Sequence, residues 1–279
     1  MNARERLMQK LEELQHVAKK SLGQNFLISD LVISKILKKV QDQGAEKLIE
    51  IGPGLGALTE GLLELKVPLQ LIEMDFNFVK YWKDRGLDLI QGDALQIDWS
   101  ALLAPTTGLV SNLPYQISSS IVIERSLDHN PLAFMILMFQ KEVAQRIQAP
   151  ARRDDYGMLS VIAQNFWKIE IVSEAGPKDF QPPPKVASRV LYFKPLPTTI
   201  DDRKFFLRLV KEAFKQRRKL LKSNLRGFLF DHGVQENDFL DWMKLRDLKE
   251  TARAEELSPK LFKELYEYIA DSRKQKGKV

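Results

Sequence analysis

Between positions 47 and 195 short apolar runs alternate with stretches of helical periodicity. Runs at 47–51, 69–73, 87–90, 108–110 and 134–138 each have strand length and end in polar or glycine-containing punctuation. Strands alternating with helices predict a mostly parallel sheet covered on both faces. Two further runs, at 169–172 and 189–193, lie close together. The loop between them runs from Gly176 to Lys185 and contains Pro182-Pro183-Pro184. This pair predicts an antiparallel edge, which makes seven strands in all. After Pro195-Leu196-Pro197 the period changes. Phe205, Phe206, Leu209, Val210, Ala213 and Phe214 follow a helix, and a second helix starts at Ser258-Pro259 and continues through Ile269. The expected organisation is an α/β, Rossmann-like domain over 1–198, with a helix over 4–17 leading into it. A small all-helical domain is expected over 199–279.

Composition narrows the chemistry. Cysteine is absent, which removes disulfides, thiolate metal sites and cysteine nucleophiles. His16, His129 and His232 are far apart and show no ligand spacing, so no metal is expected. The start carries acids among Leu7, Leu11 and Leu14 and reads as neither a secretory nor a transit signal. A cytoplasmic location is the expectation. The net charge of +6 lies wholly in 201–279, which holds 20 Lys and Arg against 14 Asp and Glu, while 1–200 is neutral. That asymmetry points to a polyanionic partner met by the second part of the chain, although a solvated helical surface with a lysine-rich tail has the same composition.

The strand ends carry the candidate chemistry. Gly52-Pro53-Gly54-Leu55-Gly56-Ala57 follows the first run and enters a helix, so the backbone can turn sharply and approach a ligand. Glu73 stands 21 positions after Gly52, where a carboxylate can accept both ribose hydroxyl protons. A nicotinamide enzyme fits this turn equally well. Asp93, after the third run, can accept from an adenine amino group, or simply make a local turn. All three features fall at the carboxyl edge, where such sheets bind ligands.

Ser111-Asn112-Leu113-Pro114-Tyr115 follows the fourth run. An adenine amine is a poor nucleophile because its lone pair is delocalised into the ring. Acceptors on both amine protons favour a pyramidal nitrogen with an available lone pair. The Asn112 side-chain oxygen and the Leu113 carbonyl can serve, the latter held extended by Pro114. Tyr115 can stack on the extruded base. A sulfonium methyl donor then needs only in-line positioning.

With these motifs in place, the chain resembles the KsgA-type small-subunit ribosomal RNA adenine dimethyltransferases nearly end to end. The likeness runs through 21–27, 50–56, 72–75, 92–94, 112–119, 140–146, 156–160, 180–188 and 214–219. It implies a class I methyltransferase domain, with S-adenosylmethionine as donor. It also implies that Asn25 and Leu27 line the cofactor pocket with Gly52, Gly54 and Gly56. Gly52 would hold the methionine end, Glu73 the ribose and Asp93 the adenine, and Asn112 would touch both cofactor and target. Phe180 would share the target-base site with Tyr115. The implied substrate is 16S rRNA in the immature small subunit, modified at two adjacent adenosines by a monomer. Lys215, Arg217, Arg218, Lys219 and Lys222 are expected on one helical stretch as RNA contacts, a placement that positions rather than specifies. Two alternatives keep the fold. One is a large-subunit rRNA adenine methyltransferase, and the other is a mainly non-catalytic RNA-binding assembly factor.

Overall fold

In the computed structural model, which describes residues 1–13 and 25–276, the predicted strands are present, and those at the centre of the sheet have their apolar runs buried on both faces. The chain divides into two compact units. The first comprises Met1–Ala144 and Lys168–Pro195, the second Gln145–Trp167 and Leu196–Val279. The first unit opens with α1 (Ala3–Glu13), β1 (Phe26–Leu27) and α2 (Asp30–Gln41). The predicted helix over 4–17 is thus present to Glu13, and 14–17 lie outside the described residues, as do 21–24 of the resemblance. Then follow β2 (Lys47–Ile51), α3 (Thr59–Glu64), β3 (Leu69–Glu73), α4 (Phe76–Asp84), β4 (Asp88–Gln91), β5 (Thr107–Asn112), α5 (Ser118–Leu127) and β6 (Phe134–Gln140). After α6 (Lys141–Gln148) and α7 (Met158–Phe166), the chain returns through β7 (Trp167–Ala175), β8 (Phe180–Gln181) and β9 (Ser188–Pro195).

The sheet order is β4-β3-β2-β5-β6-β9-β7. Strands β2 to β6 pair in parallel, and β9 runs antiparallel to β6 with β7 beyond it at the edge. The centre is the most apolar part. Phe134 to Phe139 of β6 are all buried, the unbroken run expected of a strand covered on both sides. Edge strand β4 exposes Asp88 and Gln91. The short strands β1 and β8 pair separately and set Leu27 opposite Phe180. No helix among the described residues is long and apolar enough to cross a membrane.

The second unit holds α7, α8 (Arg203–Ala213), α9 (Leu221–Asp231), α10 (Glu236–Lys244) and α11 (Pro259–Lys276). Its core is aromatic. Phe206 meets Phe166 and Tyr266 edge-on at 5.9 and 5.8 Å, and Phe214 stacks on Phe262 at 5.7 Å. The Phe166 contact explains why 145–167 packs here, although it precedes position 198 in sequence. Asp202 caps α8 by accepting from the Phe205 amide at 2.9 Å.

One expectation is corrected. Residues 215–219 form no helix but a turn between α8 and α9. The Asn224 side-chain Nδ2 donates to the carbonyls of Ala213 and Gln216, and the Leu221 N–H is drawn to the Ala252 carbonyl, so the groups that would continue α8 are bound elsewhere. Of the basic residues, Lys222 alone is helical, in α9.

Gly108 of β5 lies opposite Phe134, and a Cβ there would stand 2.3 Å from the ring. Gly108→Ala is therefore expected to lower the unfolding free energy by about 1–3 kcal/mol through overpacking, read by urea denaturation. Adding Phe134→Leu should recover part of that loss. An unchanged midpoint in the single variant contradicts the close packing.

Candidate active site

Because β2, β3, β4 and β5 run in parallel, their carboxyl ends share one edge, and a cavity of about 850 Å³ opens there. That size suits a small-molecule ligand. Asn25, Leu27, Gly52, Gly54, Gly56, Glu73, Asp93, Asn112, Leu113, Pro114 and Tyr115 all line it. The edge therefore brings together eleven of the twelve predicted cofactor and catalytic positions. Phe180 is not among the lining residues; it is 2% exposed and faces Leu27 across the β1–β8 pair.

The turn after β2 has Gly56 at φ +87°, a region costly for side chains, and a Cβ there would come within 2.8 Å of the Trp82 ring. The Gly52 N–H donates to the Ile72 carbonyl at 2.8 Å, and the Gly54 N–H to Glu73 Oε2 at 3.3 Å. The other Glu73 oxygen accepts from the Met74 and Asp75 amides, both at 2.8 Å. Burial pushes the Glu73 carboxyl above its ordinary range, and these three N–H groups pull partly against that. A carboxylate offers about four acceptor sites, so room is left for a ligand hydroxyl. Asp93 makes the local turn that sequence reading offered as its plainer role. Its oxygens accept from the Leu95 amide at 2.9 Å and the Gln96 side chain at 3.2 Å, while the residue still lines the cavity.

The β5 end is tied to the glycine turn. Ser111 is buried, and its hydroxyl donates to the Ile51 carbonyl at 2.6 Å. The Asn112 side-chain N–H donates to the Asn25 carbonyl at 3.2 Å, so the amide oxygen is the end left for a ligand. The Ser118 hydroxyl donates to the Tyr115 carbonyl at 2.9 Å, and the Tyr115 hydroxyl lies 3.2 Å from that of Ser188. Tyr115 is half-buried, with its ring held at the cavity wall.

Sequence reasoning missed Lys10, Trp82 and the role of Glu50. α1 walls the cavity through Leu7 and Lys10, yet its sequence shows only an ordinary amphipathic pattern. For Trp82 the available signal was general, since a buried indole N–H seeks an acceptor.

In the second unit Lys215 pairs with Glu212 at 3.1 Å, Arg217 with Glu255 at 2.8 Å and Lys222 with Glu250 at 3.0 Å. Arg217 also donates to the Asp154 carbonyl. Arg218 and Lys219 are exposed and have no ion pair among the described residues.

A mostly parallel seven-stranded sheet with one antiparallel strand inserted next to its edge, and a cavity over its carboxyl ends, is the architecture of the class I methyltransferases. A crystal structure of a dimethyladenosine transferase from Plasmodium falciparum superposes with TM-score 0.72 at 22% identity, covering 88% of this chain and 98% of that one. The crystal structure of the 23S rRNA methyltransferase ErmE gives 0.64 at 20%, covering 88% and 100%. At these identities the likeness concerns the fold alone. The ribosomal RNA adenine dimethylase family model matches residues 15–271. The ribosomal RNA small subunit methyltransferase A of Bdellovibrio bacteriovorus is 56% identical over 268 residues, 96% of this chain and 98% of that protein. The chain belongs to the ribosomal RNA adenine dimethylase family.

Glu50, two residues before the glycine turn, lines the cavity while almost fully buried, and its Oε2 has no hydrogen-bond partner among the described residues. Burial pushes its carboxyl up to about 8, and the charges of Glu73 and Glu60 add to the rise. It therefore keeps its proton in the folded protein where the unfolded chain has lost it. The associated stability is complete below about 4.5 and is lost as pH rises through 8. Glu50→Gln is expected to gain on wild type from about pH 5 to about pH 9 in ligand-free melting curves. Parallel pH profiles for the two proteins contradict the buried, protonated state.

Proposed function

We propose that the chain is an S-adenosylmethionine-dependent methyltransferase that dimethylates the exocyclic amine of two adjacent adenosines near the 3′ end of 16S rRNA. It acts as a monomer on immature small ribosomal subunits. The observation that carries this reading is the orientation of Asn112. Its N–H is bound to the Asn25 carbonyl, and its oxygen is left at the end of β5 beside Leu113, Pro114 and Tyr115.

The cavity fits the donor on chemical grounds. An orphaned Glu50 oxygen suits a cationic ammonium, Glu73 retains capacity for a ribose hydroxyl, and Asp93 sits just after β4 for an adenine amine. Gly52, Gly54 and Gly56 keep the turn free of side chains, and Asn25 and Leu27 close the cavity beside it. When bound, the donor supplies an electrophilic methyl group on a sulfonium.

The protein's share is placement. Asn112 Oδ1 accepts one proton of the target amine and the Leu113 carbonyl accepts the other, which makes the nitrogen lone pair available in line with the methyl. Pro114 keeps Leu113 extended. Tyr115 stacks on the extruded base, a contact worth roughly 1–3 kcal/mol in single-stranded complexes. Phe180, buried and paired with Leu27 across the β1–β8 ribbon, supports the target site through that ribbon. The amine proton released after transfer passes to solvent from the Asn112–Leu113 acceptor pair.

The helical domain over 199–279 supplies the RNA contact. Arg218 and Lys219 are the cations ready for phosphates, while Lys215, Arg217 and Lys222 must first exchange their carboxylate partners.

Two outcomes are expected. Asn112→Ala should reduce dimethyladenosine formation on immature small subunits by at least about 10²-fold, the scale of losing one preorganised polar group, with donor binding weakened far less. Absence of dimethyladenosine in digests made with the wild-type protein overturns the activity itself. The double change Arg218→Ala, Lys219→Ala should weaken subunit binding across all RNA sequences. It should also lower the slope of log affinity against log salt by about 2. An unchanged slope removes these two residues from the interface.

A further inference from the structure

Most turns hold their carbonyls with water or their own backbone. In the glycine turn two adjacent carbonyls are instead gripped by side chains from two different helices. The Trp82 indole N–H of α4 donates to the Gly54 carbonyl at 2.9 Å, and the Lys10 ammonium of α1 donates to the Leu55 carbonyl at 3.0 Å. Trp82 is fully buried, and its six-membered ring lies against the Cα of Gly56. Lys10 is held in turn by Glu60 at 2.6 Å, and Arg85 binds the same carboxylate at 2.9 Å while lying 5.1 Å over the Trp82 ring. Lys10 itself sits 5.8 Å from the ring centres of both Tyr81 and Trp82. The two carbonyls are thereby fixed, one of them by a side chain that itself lines the cavity, and the backbone between them is held.

We infer that Lys10 and Trp82 are positioning residues for the methyl donor, a clamp that holds the glycine turn in its ligand-ready shape and makes α1 a working part of the donor site. The inference rests on the donor-site reading above. Neither residue takes part in methyl transfer. Their effect passes through the Gly54–Leu55 backbone to whatever binds against the turn, and it leaves Asn112, Tyr115 and the RNA contacts untouched. Glu60 has the counterpart duty of keeping the ammonium on the carbonyl. Burial alone would raise its carboxyl, and the hydrogen bonds and charges of Lys10 and Arg85 outweigh burial and hold it low.

The test uses the full chain with two variants that preserve packing, Lys10→Met and Trp82→Phe, and the conservative Lys10→Arg. S-adenosylhomocysteine is the binding probe, followed by calorimetry, and methylation of immature small subunits gives kcat and both KM values. Lys10→Met and Trp82→Phe are each expected to raise the probe's Kd and the donor KM about tenfold, the scale of one lost charge-assisted or buried hydrogen bond. The kcat at saturating donor and the KM for the subunit stay at wild-type values, and Lys10→Arg restores donor KM. A purely structural role lowers Tm and active fraction without splitting KM from kcat. Unchanged probe Kd in both variants, or kcat falling with donor KM constant, overturns the clamp while wild-type binding still supports the donor site. A wild-type protein that does not bind S-adenosylhomocysteine overturns the donor-site reading and the clamp with it.

Discussion

The turn from Gly52 to Ala57 has to stand open over the sheet edge, and its own backbone supplies one bond across it, Gly56 N–H to the Pro53 carbonyl. Four further polar groups are satisfied by side chains or strands outside it. The Gly52 amide goes to β3, the Gly54 amide to Glu73, and the next two carbonyls to Trp82 and Lys10. This arrangement makes the cavity dependent on elements far apart in sequence, because a shift of β3, α4 or α1 leaves a buried peptide group unpaired. An unpaired buried group costs on the order of 1–3 kcal/mol, so the turn's shape is shared between those elements rather than stored in the glycines. The glycines permit the conformation; the side chains around it select it.

The same corner gathers three buried carboxyls, and each is accommodated by different physics. Glu73 keeps three N–H donors. Asp75 caps α4 by accepting from the Asn77 amide at 3.0 Å. Glu50 has no N–H donor of that kind among the described residues, its Oε2 is unpaired, and burial outweighs the nearby Thr59 hydroxyl, so it holds a proton instead. Three ionised groups so close and so dry would repel strongly, so neutralising the one with the poorest hydrogen bonding is the least costly solution. A cation entering the cavity would reverse that choice. Ligand charge and the protonation of Glu50 are therefore linked through the geometry of this corner.

How much of this was legible in the amino-acid sequence follows from what each feature depends on. The strand ends bearing Gly52, Glu73, Asp93 and Asn112 could be read because apolar runs of β length mark where a parallel sheet stops, and parallel strands stop on one side. The antiparallel edge of β7 and β9 was readable from two close runs around a proline-rich loop. Lys10 and Trp82 were not, since their partners are main-chain carbonyls, which leave no residue signature at the accepting position. The turn at 215–219 was read as helix because the periodicity of α8 leads into it. What ends the helix is Asn224, nine residues beyond Lys215, through two long-range hydrogen bonds. Helices α9 and α10 carried the apolar spacing Leu221, Leu225, Leu229 and Phe239, Trp242, Met243, but both are weakly periodic beside α8.

Asn112 has little freedom at the place the proposed function gives it. An asparagine side chain is nearly symmetric in shape, so packing alone would let either end face the cavity, and an N–H facing an adenine amine would set two donors against each other. The bond to the Asn25 carbonyl removes that degeneracy from behind, because flipping the amide would oppose two oxygens. The backbone at Asn25 is itself placed by the β1–β8 pair, which sets Leu27 against the buried Phe180. Phe180 is thus linked to the Asn112 amide only through the ribbon, by its pairing with Leu27 and the Asn25 carbonyl two residues before it. The orientation of the Asn112 amide is then a property of the β1–β8 ribbon and β5 together, whereas the exposed cations Arg218 and Lys219 belong to the other unit.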